Sequence, residues 1–586
     1  MTEKSGAATV QTYNAAYDTA NRLTGYNYQL SPAWNGTLGS TRSYTYGYNK
    51  TDNGTDKDGS LKTLTGPGGS FAYNYDDLKR LGSRVLTVNG STLINRQLTY
   101  LAGTGANGTT LMVSGLINSN SSGAVINQFF YDYDSLGNIT AIWDTPTHGE
   151  NDEPLAEYTY DNQGQLLSEK LNNITYTYTY DTYGNLWYKS DGTTTDTYAY
   201  GDSQWLDKLT SYNGNTISYD AIGNPTTWYD GTTFTWVNGR RLASATNTAE
   251  NLTATYTYDS DGLRLTKTIN GVEHKYLWQG SKLVSEYYDG KELEFFYDES
   301  GNPYAFSYKA SSTATPVTYY YLTNLQGDIT GILDSSGTTV ATYTYNAWGK
   351  LLSSTGDLAD VNPLRYRGYY YDAETGLYYV SSRYYDPEIG RFINPDNVDL
   401  LGANGDFASL NLFAYCGNNP ITRVDENGHL WNTIIGAAAG ALVGGITAAI
   451  MGTDIKAGVV SGAVNGAITG AMVDIAVATG GAAIPLLIGV ATVGGAGSSY
   501  LNQRMQGVSN QDINWGAVAL DGMWAGVGAA LSIGTAGVGT SQVQTLRQIL
   551  KKPLKEIAKQ AVEDFTTSTI ISFGTWLNGT KMNSLR

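Results

Sequence analysis

Residues 174–186 read ITYTYTYDTYGNL. Tyr176, Tyr178 and Tyr180 alternate with Thr175, Thr177 and Thr179, and this period of two places tyrosines on one face of a strand and threonines on the other. The Asp-Thr-Tyr-Gly that follows is turn chemistry, because Asp bonds nearby backbone N–H groups and Gly accepts positive φ. The phrase returns as ISYDAIGN at 217–224, YTYDSDGL at 256–263 and FFYDESGN at 295–302. Asp181, Asp220, Asp259 and Asp298 therefore recur at intervals of 39 residues. A fixed period signifies an array of similar units before it signifies an enzyme.

Further copies occur at Tyr73–Gly82, Tyr131–Ile139, Tyr158–Leu166 and Tyr343–Leu351, with weaker ones at Tyr198–Leu206, Phe234–Leu242 and Tyr276–Leu283. The underlying step is about 20 residues, which suits one β-hairpin with its turns. Stacked hairpins would form a continuous sheet, each covering its neighbour's edge. Among 586 residues, 47 tyrosines and 69 glycines reinforce a mostly β reading. The N-terminus lacks an apolar stretch of secretory-signal length, and Tyr17-Asp18 through Leu23 already reads as a repeat. The chain is expected to begin mid-array, with an upstream piece belonging to the same or a separate product.

A net charge of −17 opposes tracking of a phosphate backbone, so the repeats are not expected to bind nucleic acid. With one cysteine, Cys416, no disulfide can form within the chain. His148, His274 and His429 show no ligand spacing, and no metal or other cofactor is expected. The repeated aspartates lack the dense ladder calcium requires, and turn formation accounts for each. Tyrosine faces can stack on sugar rings, but packing is the simpler use.

The recurring YDxxGN phrase resembles the YD repeats of bacterial Rhs proteins, wall-associated proteins and animal teneurins. The resemblance spans roughly residues 13 to 350 and implies hairpins spiralling into a β-shell. From about residue 363 the text changes to RYRGYYYD (365–372), GLYYVSSRYYDPEIGRF (376–392) and NLFAYCGNNP (411–420). This block resembles the Rhs repeat-associated core, which closes the shell and can act as an aspartyl protease on its own chain. In such a site one carboxylate activates water while its protonated partner polarises the scissile carbonyl. Carried over by position, the resemblance assigns Asp396 and Asp425 as the catalytic pair and Arg383 as the arginine that holds them. Cleavage would follow His429, with Leu430 opening the released segment. In the family the cut falls just downstream of an Asp-Pro-x-Gly-hydrophobic phrase, and Asp-Pro is usual at both aspartates. Here Asp396-Asn397 and Asp425-Glu426 stand instead, and VDLLGANGDFAS lengthens the gap. From the residues alone, the preferred reading is that both aspartates are turn formers. Cys416 has no neighbouring base and is expected to be structural, as are Tyr369, Tyr370 and Tyr371.

After His429 the composition shifts. Ile434–Gly452 carries no charge, and Gly436, Gly440 and Gly444 keep a small-xxx-small spacing. Such lengths can span a bilayer or form a packed glycine-rich helical hairpin. Leu550, Leu554, Ile557, Ala561 and Phe565 give one apolar helical face, with Arg547, Lys551, Lys555 and Lys559 as a basic stripe. No His or Cys lies beyond His429, so the tail offers no recognised catalytic effector motif.

The expected organisation is a repeat shell at 1–362, a core block at 363–430, a Gly/Ala-rich helical region at 431–540 and an amphipathic tail at 541–586. The resemblance implies a secreted or cell-surface polymorphic-toxin delivery protein. Its own C-terminal segment would be the cargo, with a cognate immunity protein as a partner. The alternatives are a carbohydrate-binding adhesin and a pore-forming effector acting on a target membrane.

Overall fold

The computed structural model describes residues 2–5, 8–18, 23–31, 39–50, 56–78, 80–103, 109–149, 152–397, 410–429 and 431–433. The helical expectations for 431–540 and 541–586, with the membrane readings attached to them, lie outside the described residues apart from the strand Trp431–Thr433. All described residues fall within one compact unit.

Two antiparallel meanders account for the repeats. Eighteen strands run from Thr2–Ser5 to Asn215–Thr216, and fourteen from Ser218–Tyr219 to Leu351–Thr355, each paired with the next in sequence. In Ile174–Tyr180, Tyr178 is buried while the three threonines face solvent. The tyrosine that leads into several of the turns does more than pack. Its hydroxyl reaches back and donates to a backbone carbonyl of the preceding unit: Tyr160 to Ile139 (2.7 Å), Tyr180 to Leu166 (2.7 Å), Tyr200 to Leu186 (2.8 Å), Tyr258 to Leu242 (2.9 Å) and Tyr297 to Leu283 (2.7 Å). A phenol buries its ring and keeps a donor at its tip, so one residue type fastens unit to unit. On the outer face, pairs such as Thr159–Ser168 and Thr257–Thr266 bridge adjacent strands through their hydroxyls.

The turn aspartates behave as their local text predicts. Asp181 Oδ1 accepts the N–H groups of Tyr183 (2.8 Å) and Asn185 (2.9 Å), and its Oδ2 accepts the Asn185 side-chain amide (2.9 Å). Gly184 closes the turn at φ 73°, where a Cβ would be strained. Asp220 repeats the pattern with Ile222 and Asn224. Asp298 adds a second task, an ion pair with Arg84. That pair belongs to a packed interface in which Tyr28, Tyr44 and Phe71 of the first meander share a core with Leu277, Phe296 and Tyr304 of the second.

The block after the repeats forms a four-stranded sheet of Tyr370–Asp372, Leu377–Val380, Arg383–Asp386 and Arg391–Phe392. Tyr369 and Tyr370 are buried, as expected. Asparagines of the block read the amide that ends three of the turn phrases: Asn419 donates to Asn138 (2.9 Å), Asn418 to Gln165 (2.8 Å) and Asn411 to Asn185 (2.8 Å). A second attachment is ionic. Arg264 of the repeats grips Asp372 through two nitrogens (2.6 and 3.0 Å), and Lys267 adds a third contact (2.7 Å).

Candidate active site

Three segments of the block converge. Arg383 opens the strand Arg383–Asp386. Asp396 follows the short strand Arg391–Phe392 and is fixed by its own N–H, which donates to Leu412 O (2.9 Å). Asp425 ends the strand Arg423–Asp425 and pairs with Trp431 across a hairpin whose loop contains His429.

The predicted residues meet at one atom. Arg383 Nη2 lies 3.0 Å from Asp396 Oδ2 and 3.2 Å from Asp425 Oδ2. All three side chains are buried, with at most 5% of Arg383, Asp396 or Asp425 exposed. The guanidinium is held from several sides. It lies over the Phe392 ring with Cζ 3.5 Å from the centroid, and it donates to the carbonyls of Leu412 (3.0 Å) and Gly428. Asp425 Oδ1 accepts the backbone N–H groups of Asn427 (3.3 Å), Gly428 (2.8 Å) and His429 (3.0 Å), gripping the loop that carries the expected cleavage point. Asp396 Oδ1 accepts Asn397 N–H (2.7 Å) and contacts His429 Nδ1 (2.8 Å).

Burial pushes the Asp425 carboxyl above the ordinary range. Arg383 and the loop N–H groups pull it back only in part, and the Asp396 charge pushes it further up. The arrangement is that of two carboxyls sharing one cation. With Oδ1 of each residue engaged by backbone or His429, the remaining acceptor capacity lies on the two Oδ2 atoms around Arg383 Nη2.

Asp396, Asp425, Arg383 and His429 are thus brought together, while Leu430 lies outside the described residues. Reasoning from the sequence did not assign two contributors. His429 was expected only as the residue before the cut, yet its side chain touches Asp396. Arg240, in a repeat turn, donates to the carbonyls of Pro395 (2.6 Å) and Asp396. Nothing in the local text around Arg240 distinguishes it from other surface arginines. Cys416 is buried in a 3₁₀ turn, and burial pushes its thiol up, away from nucleophilic use.

The teneurin YD-shell profile matches residues 43–421, about two thirds of the sequence. The chain belongs to this family. The match includes Arg383 and Asp396 and ends before Asp425. Among curated relatives, the tRNA nuclease WapA of Bacillus subtilis is 38% identical over 235 residues, covering 38% of this chain and 10% of WapA. Double-stranded DNA deaminase toxin A of Burkholderia cenocepacia is 27% identical over 251 residues, covering 37% of this chain and 17% of that protein. Teneurin-3 of Danio rerio is 27% identical over 197 residues, covering 29% and 7%. The chain therefore spans well under a quarter of the length of these relatives. The solved TcdB2-TccC3-Cdc42 structure superposes with a TM-score of 0.50 at 20% identity, covering 70% of this chain and 23% of that one, a likeness of fold.

Proposed function

We propose that this chain is the YD-shell portion of a polymorphic-toxin delivery protein, and that Asp396 and Asp425 cut it between His429 and Leu430. The convergence of both carboxyls on Arg383 beside the hairpin loop carries this reading. Two relatives named for a tRNA nuclease and a DNA deaminase toxin support the toxin class.

The chemistry follows from the geometry. Asp425, pushed up by burial, supplies the proton that polarises the His429 carbonyl. Asp396 removes a proton from water, whose oxygen adds to the carbonyl carbon. Collapse of the tetrahedral species returns the proton on oxygen to Asp425 and breaks the C–N bond, while the proton taken up by Asp396 passes to the Leu430 nitrogen, which leaves as an amine. Arg383 keeps the pair at one net charge below that of two free carboxylates and fixes their spacing. The segment from Leu430 onward is the cargo, an immunity protein its cognate partner, and the extracellular space its route. An adhesive role would rest on exposed Tyr183, Trp187 and Tyr188, because the tyrosines of the strand faces are engaged in packing.

Intact-mass measurement of the purified chain tests the proposal. Wild type should show a break after His429. Asp396→Asn and Asp425→Asn should each slow it by about 10²–10⁴-fold. A folded wild-type chain that stays whole would overturn it.

A further inference from the structure

His429 stands where the resemblance leads one to expect a hydrophobic side chain. The substitution is not passive. The residue just before the proposed cut is gripped twice, its backbone N–H by Asp425 Oδ1 at 3.0 Å and its imidazole Nδ1 by Asp396 Oδ1 at 2.8 Å. The two carboxyls that would perform the chemistry therefore also hold the substrate residue, each through the oxygen not turned toward Arg383. A leucine or methionine side chain could not make the second grip.

Resting on the autoproteolytic reading above, we infer that His429 is a substrate-side positioning residue that holds the scissile segment against the carboxyl pair through its contact with Asp396. The contact requires a hydrogen on Nδ1. The imidazolium always carries one, whereas the neutral ring carries it in only one of two tautomers. As imidazolium, His429 also supplies a positive charge to a buried pair that otherwise shares the single guanidinium of Arg383. The charged and titratable groups that bear on it are Asp396 on the loop after Arg391–Phe392, Arg383 on its strand, Asp425 on its own hairpin and Arg240 behind the Asp396 carbonyl. The side-chain contact orients the scissile peptide bond, and its loss would leave only the backbone grip of Asp425.

The test is the cleavage rate of the full chain, recovered in denaturant before it has folded, refolded by dilution and followed by intact mass. His429→Leu should cleave roughly tenfold more slowly than wild type, the loss expected for one hydrogen bond to a carboxylate. His429→Asn places an amide N–H near the position of Nδ1 and should restore the rate to within about threefold of wild type. A His429→Leu rate equal to wild type, or an Asn variant as slow as the Leu variant, would overturn the inference while leaving autoproteolysis standing. A wild-type chain that folds and stays whole would remove both.

Discussion

Two clusters in the same block bury carboxyls, and they differ in how many cations answer them. At the repeat–block junction, Asp372 is met by Arg264 at 2.6 Å and Lys267 at 2.7 Å, and Lys267 also reaches Glu374 at 3.0 Å. Burial alone would push Asp372 up, but the two cations outweigh it and hold the carboxyl below its ordinary range. At the candidate active site, Asp396 and Asp425 share one guanidinium nitrogen, and Asp425 is pushed up. The matched cluster is a permanent charged lock. The under-matched one keeps a proton in play, as acid–base chemistry requires. Glu169 extends the series. It has no ion-pair partner among the described residues, only Ala347 N–H (2.7 Å) and the Tyr178 hydroxyl (3.2 Å), and burial pushes it to about 7.

The comparison breaks most visibly at the lock. Asp372→Asn would strand Arg264 and Lys267 in a site from which the wild-type chain excludes water. The expected cost is about 3–5 kcal/mol, read as a lowered denaturant midpoint at pH 7. Because the folded-state pKa of Asp372 is depressed, its contribution is fully present above the unfolded value of about 3.9 and is lost as pH falls through the folded value. The variant and wild type should therefore converge only in strong acid. A variant as stable as wild type at pH 7 would show that the lock does not fasten block to repeats.

Arg383→Met removes the one cation at the other cluster and should cost about 3 kcal/mol at about pH 8. Here the sign of the pH dependence reverses. Without the guanidinium the folded-state pKa of Asp425 rises further, so the folded state holds a proton that the unfolded chain releases. Stability should fall as pH rises and recover toward about pH 5. Paired denaturation curves at the two pH values check this, and an equal loss at both would mean that Arg383 acts through its carbonyl contacts to Leu412 and Gly428 alone.

These two outcomes also mark what the sequence could disclose. The turn role of Asp181 was legible because its partners lie two and four residues away. Arg383, Asp396 and Asp425 were assignable only through resemblance to a known block, since local text allowed both aspartates to be turn formers. Asp425 proves to be both, capping its own loop and facing Asp396. The Arg264–Asp372 lock was not legible at all. It joins residues 108 apart, and Arg264 opens a strand whose local text, RLTKTI, points to no partner. The imidazole contact of His429 was hidden for the same reason, as Asp396 lies 33 residues upstream.

Glu169→Gln probes the end of the series that lacks a cation. With the folded value near 7 and the unfolded near 4.3, wild type loses stability as pH rises between them. Gln keeps an oxygen for Ala347 N–H and offers its amide to the Tyr178 hydroxyl. The variant should be more stable than wild type by roughly 2 kcal/mol at about pH 8 and equal to it near about pH 4. Thermal melts at both values decide it, and a destabilised variant at pH 8 would mean that the Lys189 charge, which pulls the Glu169 carboxyl down from a distance without pairing with it, satisfies the carboxylate.

The smallest effect is expected where a carboxylate is shared with nothing but its own turn. Asp181→Ala removes two backbone contacts and one amide contact at a hairpin end. The Tyr183 N–H is exposed and can turn to water, and only the N–H of buried Asn185 loses its acceptor, so the loss should be about 1 kcal/mol. Asn185, however, also donates to Leu206 O at 3.1 Å and accepts from Asn411 at 2.8 Å. Loosening its side chain therefore touches the seam along which the block reads the repeats. If that seam transmits strain, the rate of cleavage after His429 will change in Asp181→Ala. If each unit is anchored independently by its tyrosine, as the bond from Tyr180 to Leu166 O suggests, stability will fall by about 1 kcal/mol and the rate will not move. We expect the second result, because the seam has two further amide pairs, at Asn138–Asn419 and Gln165–Asn418, that the substitution leaves untouched.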